Sequence, residues 1–219
     1  MSIKRKHLVL LAISILCIFS LCGCEDKNEK RYQNYVKGLI SINYLGATDE
    51  YIQATGANLD DANALYQNNL NMLANNILSY YNLTIVDSPE LMTSFADLAK
   101  NIYSRVNYKV SKAYKIGKDY YIDVTVYPIN LFNQTTDEVN AYIEQFNARV
   151  ANGDYNDYTL SQYETEFSNG LIEILNNGCL NMTYAEPQTV RVAIVVDQNT
   201  YYISDHDFLN IDNAMICTD

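Results

Sequence analysis

Tryptophan is absent from the 219 residues, and histidine occurs twice. One of those two, His7, sits at the extreme N-terminus, which leaves His206 for the rest of the chain. Histidine is the commonest general base, so catalysis by a His-centred triad is nearly excluded by counting. A zinc site is equally poorly supplied, with one histidine and two distant cysteines beyond residue 24. The Gly-rich phosphate loop, the dinucleotide fingerprint and the G-x-S-x-G nucleophile elbow are all missing. Basic residues are scarce too, at 15 Lys plus Arg against 26 Asp plus Glu. That imbalance argues against nucleic acid as a partner.

What is present is concentrated at the start. Lys4, Arg5 and Lys6 form a cationic run, and residues 8 to 20 are apolar apart from two serines. This run is shorter than the roughly 20 residues a membrane span needs. A basic n-region, a short apolar h-region and a small-residue cleavage site together describe a secretory signal. The run ends in Leu21-Cys22-Gly23-Cys24.

That ending resembles the lipobox of bacterial lipoproteins. Leu21, Cys22 and Gly23 occupy the three positions before the cysteine, with Cys22 a slight departure in the second. The resemblance implies a diacylglyceryl group on the Cys24 thiol and cleavage before it. Two acyl chains suffice for stable anchoring, at about 0.8 kcal/mol per buried methylene. The expectation is therefore a signal peptide over 1–23 and a short charged tether over 24–31. One extracytoplasmic body over 32–219 follows, lipid-anchored at the cell membrane and facing outward. Without residues 1–23 the chain carries 12 cations against 26 acids, a net charge of −14.

Along the body the apolar pattern switches twice from helical spacing to strand alternation. Tyr32, Tyr35, Val36, Leu39 and Ile40 recur at helical spacing, ended by Gly46. Thr48 is read as the cap of a short helical turn ended by Gly56, and Asn58 or Asp60 as the cap of a longer helix through Tyr80. Ser88-Pro89-Glu90 marks another helix start. From Val106 the pattern alternates, turns at Gly117-Lys118-Asp119 and alternates again to Val126, as a hairpin does. Thr135-Thr136-Asp137-Glu138 resembles a capping box for a helix to Val150, and a further helix is expected over 161–176. A second hairpin spans Val190 to Ile203, and Ser204 opens a last short helix.

Helices beside antiparallel hairpins predict an α+β fold. The two stretches GATDEY (46–51) and GDYNDY (153–158) suggest related halves, 32–130 and 131–219. With fragments such as YVKGLI (35–40) and DDA (60–62), the body resembles lipoproteins of unknown function from Gram-positive bacteria, a resemblance that carries no activity.

Candidate chemistry is thin. Cys179 and Cys217 are the candidate pair for a disulfide, which geometry alone decides. Ser204-Asp205-His206-Asp207 reads as a capped helix start rather than a catalytic group. DYNDY at 154–158 lacks the spacing, central glycine and closing glutamate of an EF-hand loop. No metal ligands, cofactor or catalytic residues are assigned. Twenty tyrosines spread evenly along the chain read as compositional bias. Lys109, Lys112, Lys115 and Lys118 crowd the first hairpin and are the candidate contact for an anionic lipid or wall polymer. The reading that follows is a binding or interaction module at the cell envelope, for a wall polymer, a small ligand or a partner protein. The competing reading is a carboxylate-based hydrolase on envelope material.

Overall fold

The computed structural model describes residues 17–18, 25–85, 88–198 and 200–218. The lipobox residues Leu21, Cys22, Gly23 and Cys24 lie outside them. The fold is α+β, as the sequence predicts. Its residues gather into two compact units, one of 1–67, 107–128 and 186–215, the other of 68–106, 129–185 and 216–219. Neither unit follows the halves 32–130 and 131–219.

The first unit holds the sheet. Strand order is β1 (Cys17–Ile18), β6 (Thr200–Tyr202), β5 (Gln188–Asp197), β4 (Asp119–Tyr127), β2 (Asn107–Val110), with β3 (Tyr114–Ile116) also on β4. The pairings between these strands are all antiparallel. The two hairpins expected from the alternation are therefore joined edge to edge through β4 and β5. Ile122, Val124, Val126, Val192 and Ile194 point to one face and are at most 4% exposed.

Helix α1 (Glu25–Ile40) supplies part of the matching apolar surface. Its stripe Tyr32, Tyr35, Val36, Leu39 and Ile40 is buried as predicted. The helix starts seven residues before that stripe, so 25–31 is helical rather than a tether. Once a buried stripe has nucleated a helix, extension fixes one residue per added bond, and Glu, Lys and Arg extend it readily.

The chain then tightens into a π-helical turn, Ser41–Leu45, ended by Gly46. Helix α2 (Thr48–Thr55) follows and ends at Gly56. Thr48 is inside α2; the preceding Ala47 makes no side-chain cap. Helix α3 (Leu59–Tyr80) opens with Asn58 Oδ1 accepting the Asp61 amide at 2.8 Å. Only its first nine residues belong to this unit.

The second unit contains the rest of α3, α4 (Pro89–Tyr103), α5 (Leu131–Gln134), α6 (Thr136–Asn152) and α7 (Leu160–Leu180). Ser88 caps α4 as expected, accepting the Leu91 amide at 3.4 Å. The capping box expected at Thr135 does not form. The residues before it already make the turn α5, and Thr135 Oγ1 donates back to Leu131 O at 2.9 Å. The capping box that does form is Thr159 with Gln162, at the start of α7.

Phe146 of α6 sits among Tyr155, Tyr163 and Phe167 at ring separations of 4.8, 5.1 and 5.0 Å. Arg149 lies 4.7 Å over the Tyr155 ring. The GDYNDY stretch is thus the packed corner between α6 and α7. Tyrosines spaced evenly in sequence are clustered in space, here and around Tyr32 and Tyr201. Tyr142 closes the same cluster, donating to the carbonyls of Phe167 and Glu166 at 2.9 and 3.2 Å.

A Cβ on Gly170 would stand 2.3 Å from the Tyr142 ring and hydroxyl. The ring is pinned by those two bonds and cannot swing away freely. Gly170→Ala should therefore lower stability by about 1–2 kcal/mol. Overpacking of about 1–3 kcal/mol outweighs a helix-propensity gain of up to about 1. A shift of the urea midpoint reads this out.

Helix α8 (Asp205–Met215) returns to the first unit. Ser204 Oγ accepts the Asp207 amide at 3.1 Å, the cap expected there, and His206 is exposed beside Asp207. Asp207 Oδ2 in turn accepts the Ala193 amide of β5 at 3.1 Å. Further along α8, Asp212 is buried and accepts the Tyr44 hydroxyl at 2.6 Å. Burial pushes its carboxyl up to about 6, with the tyrosine bond pulling the other way.

An aspartate in the unfolded chain titrates near 3.9. Between those values the folded state holds more protons than the unfolded one. The stability linked to Asp212 is fully present below about pH 4 and lost as pH rises through about 6. Two pKa units bound the change at about 3 kcal/mol. Urea denaturation at pH 4 and 7 should show this part of the pH dependence vanish in Asp212→Asn.

Candidate functional site

The sheet of the first unit buries one face. The other carries an ordered set of polar and aromatic side chains. Residues directly opposed in an antiparallel pair share a face, so the register assigns them. Tyr114, Tyr121 and Ala193 form one row, and Asp123 and Arg191 the next. Lys109, Thr125 and Thr189 follow, then Asn107 and Tyr127.

The rows are cross-linked by their own chemistry. Asp123 Oδ1 accepts the Tyr114 hydroxyl at 2.8 Å and Arg191 Nε at 3.0 Å. The Arg191 guanidinium lies 5.6 Å over the Tyr114 ring. Thr125 and Thr189 hydroxyls are 3.2 Å apart. Lys109 Nζ is 5.6 Å over the Tyr127 ring. The bond from Arg191 holds the Asp123 carboxyl below the usual carboxylate range, with the Tyr114 hydroxyl acting in the same direction. Partial burial and the bond to Asp123 both raise the Tyr114 hydroxyl.

The four predicted lysines do not form one strip. Lys109 pairs with Thr125 and stands on the exposed face. Lys115 pairs with Tyr120, whose face is that of Ile122 and Val124, and lies 5.0 Å over the Tyr120 ring. The register slips by one residue between Val110 and Tyr114, as in a β-bulge. A one-residue slip reverses every later side chain. Ser111 stitches the irregularity: its amide donates to Asp123 O, and its Oγ accepts the Asp123 amide, both at 2.9 Å. Lys112 is exposed within it, and Lys118 is exposed in the Gly117-Lys118 turn.

Two open grooves also lie in this unit. One, of about 390 Å³, is lined by Lys37, Glu50, Tyr108, Lys109 and Val110. There Ser41 Oγ donates to Glu50 Oε2 at 2.5 Å and lies 3.1 Å from the Tyr108 hydroxyl. Gln33 Nε2 donates to Val110 O at 2.9 Å, covering part of the free β2 edge. The other, of about 500 Å³, lies along the start of α1. Asp212, the carboxyl with the raised pKa, lines neither groove.

Cys179 is a free thiol buried in α7, pushed up by that burial, so no bond joins it to Cys217 in this structure. Cys217 instead lies 3.4 Å from Asn133 Nδ2. Among the described residues no group of three or more His, Cys, Asp or Glu is placed to hold a metal ion. Among them, too, no helix is long and apolar enough to cross a membrane.

Asp123, Arg191, Tyr114 and the threonine pair are absent from the sequence-level site. The outward positions of Asp123 and Thr125 follow from the period-2 alternation of DYYIDVTVY (119–127). That Arg191 meets Asp123 requires the register of two strands 68 residues apart.

No protein-family model matches the chain, and no curated protein matches it. A solved structure does: a candidate lipoprotein (YcdA) from Bacillus subtilis subsp. subtilis str. 168, with a TM-score of 0.56 and 17% sequence identity. The match covers 86% of this chain and 58% of that one, so this chain spans less than two thirds of its neighbour's length. At this identity the likeness is one of fold.

The ion pair gives a direct check. In a carbon-13 titration, the Asp123 carboxyl should have its midpoint below the ordinary value near 3.9. Arg191→Ala should raise it. A midpoint unmoved by that substitution would mean the pair does not form in solution.

Proposed function

We propose that this protein is a lipid-anchored extracytoplasmic binding module whose recognition surface is the exposed sheet face of the first unit. Two features support the placement: the Leu21-Cys22-Gly23-Cys24 ending of the apolar leader, and the fold-level likeness to a candidate lipoprotein. The cross-linked rows of Tyr, Thr, Asp, Arg and Lys carry the reading of the surface. A tyrosine offers an apolar ring with a polar tip, suited to stacking on a sugar while bonding its hydroxyls. Thr125, Thr189 and Asp123 add donors and acceptors between Tyr121 and Tyr127. Because Asp123, Arg191 and Tyr114 hold one another, little side-chain freedom is lost on binding.

The chemistry fits a hydroxyl-rich polymer of the envelope better than a strongly anionic one. Arg191, the cation at the centre of the face, is already neutralised by Asp123. The chain without its leader has a net charge of −14.

Two measurements test this. Intact mass of the membrane-extracted chain should show cleavage before Cys24 and an added diacylglyceryl group. Cys24→Ala should abolish both. An uncleaved, unacylated wild-type chain would sink the anchor. For the surface, purified chain should co-sediment with isolated envelope glycan. Tyr121→Ala with Tyr127→Ala should weaken that at least about tenfold, the loss of about 1.4 kcal/mol, without moving the thermal midpoint. Binding that is equal in the double variant would remove the sheet face from the account.

A further inference from the structure

The groove of about 390 Å³ lies at the outer edge of β2. Its lining includes Tyr108, Lys109 and Val110 in succession. Successive strand residues send their side chains to opposite faces. A space that meets all three therefore meets the strand at its edge. Lys37 of α1 and Glu50 of α2 complete the lining. All of these residues belong to the first unit.

Register says which main-chain groups face that edge. Strand β2 ends the strand order and pairs with β4. In an antiparallel pair, alternate residues turn both N–H and C=O to the partner, and the residues between turn both away. The Ser111 amide donates to Asp123 O of β4. Counting back, Lys109 and Asn107 are also bonded inward, and Tyr108 and Val110 turn their main chain outward. The bond from Gln33 Nε2 to Val110 O, at 2.9 Å, reaches that outer side. Among the described residues no group bonds the Tyr108 N–H, the Tyr108 C=O or the Val110 N–H.

An open edge beside a groove is a template for one more strand. An added antiparallel strand would set one residue opposite Tyr108, exchanging both bonds with it, and would offer a carbonyl to the Val110 N–H. Gln33 already holds Val110 O and stops the ladder there. Charge decides what the strand carries. The residues on either side of the one opposite Tyr108 fall on the Lys109 face. Lys112 is exposed just beyond Val110, and Lys37 lines the groove. Glu50 is the acid in the lining, and its Oε2 already accepts the Ser41 hydroxyl at 2.5 Å. The ammonium groups of Lys37 and Lys109 thus outnumber a carboxylate that has its own partner. A second copy of β2 would bring its own Lys109 beside this one, and like charges opposed across strands are destabilising.

We propose that the β2 edge takes an extended acidic peptide segment of another protein as an added antiparallel strand, with carboxylates at alternate positions beside Lys109. The Lys109 charge keeps copies of this chain off the edge and draws an acidic strand to it. The site does not rest on what the exposed sheet face binds.

The test uses the full chain, labelled with nitrogen-15 and held in neutral detergent. It is titrated with the end-blocked peptide Val-Glu-Val-Glu-Val while amide exchange is followed residue by residue. In the free chain Tyr108 and Val110 should exchange fast and Lys109 slowly. Saturating peptide should slow Tyr108 and Val110 at least about tenfold. Val-Lys-Val-Lys-Val reverses the charge, and Val-Glu-Pro-Glu-Val removes a donor from the added strand. Each should bind at least about tenfold more weakly. On the protein side, Val110→Pro deletes an N–H that points away from β4, a place where strands tolerate proline. It should weaken the acidic peptide by a similar factor. Should that variant fail to fold, Lys37→Gln replaces it, with a loss of about threefold or more expected.

Protection of Tyr108 and Val110 by the acidic peptide, lost with either comparison peptide, supports the proposal. Equal binding of the peptides, amide shifts confined to other strands, or no binding at millimolar peptide overturns it. Exchange at Tyr108 and Val110 that slows with protein concentration alone would assign the edge to a second copy and overturn the peptide partner.

Discussion

A tyrosine packed into a core needs somewhere to put its hydroxyl, and at Tyr44 and Tyr142 this fold makes room for it. Tyr32, Tyr35, Tyr44, Tyr51 and Tyr201 are among its largest fully buried side chains. A buried hydroxyl without a partner costs about 1–3 kcal/mol, comparable to what burying an apolar side chain yields. The rings must therefore be positioned for their tips as well as their faces. Tyr44 reaches Asp212 across the helical layer, and the π-helical turn that carries Tyr44 interrupts regular α geometry between α1 and Gly46. Tyr142 finds two helix carbonyls where Gly170 leaves space for its ring. In both cases backbone irregularity or a missing side chain follows from where a phenol must go.

Much of this was legible one element at a time. The stripe from Tyr32 to Ile40, the caps at Asn58, Ser88 and Ser204, and both hairpins follow from local period and local capping chemistry. Readings failed where an earlier or later segment had a competing claim. Thr135 looks like a helix cap until Leu131–Gln134 turns first and takes its hydroxyl. Residues 25–31 look like a tether because no apolar period marks them, yet a helix stabilised further on extends through them. The lysine strip failed at the one-residue slip around Ser111, which no alternation pattern announces because Lys112 and Ala113 are unremarkable in either register.

The site was less legible than the fold for a related reason. Asp123 and Arg191 meet only because two hairpins share a sheet. Cations that the linear order concentrates in the first hairpin are divided between its faces. Charge in this molecule acts by neighbourhood.

The interleaving of the two units has a consequence for how the chain is made. It passes from one unit to the other five times, at 67/68, 106/107, 128/129, 185/186 and 215/216. The first unit lacks α8, with Phe208, Ile211 and Asp212, until residue 215 has emerged. The second closes only when the Cys217 amide reaches the Ile129 carbonyl, at 2.8 Å. No N-terminal fragment contains a finished unit, so a chain part-way through synthesis has no complete core to lock in place. Consolidation of both units is deferred until the residues up to Cys217 are available. A protein of two consecutive domains would instead finish its first domain while the second was still being made.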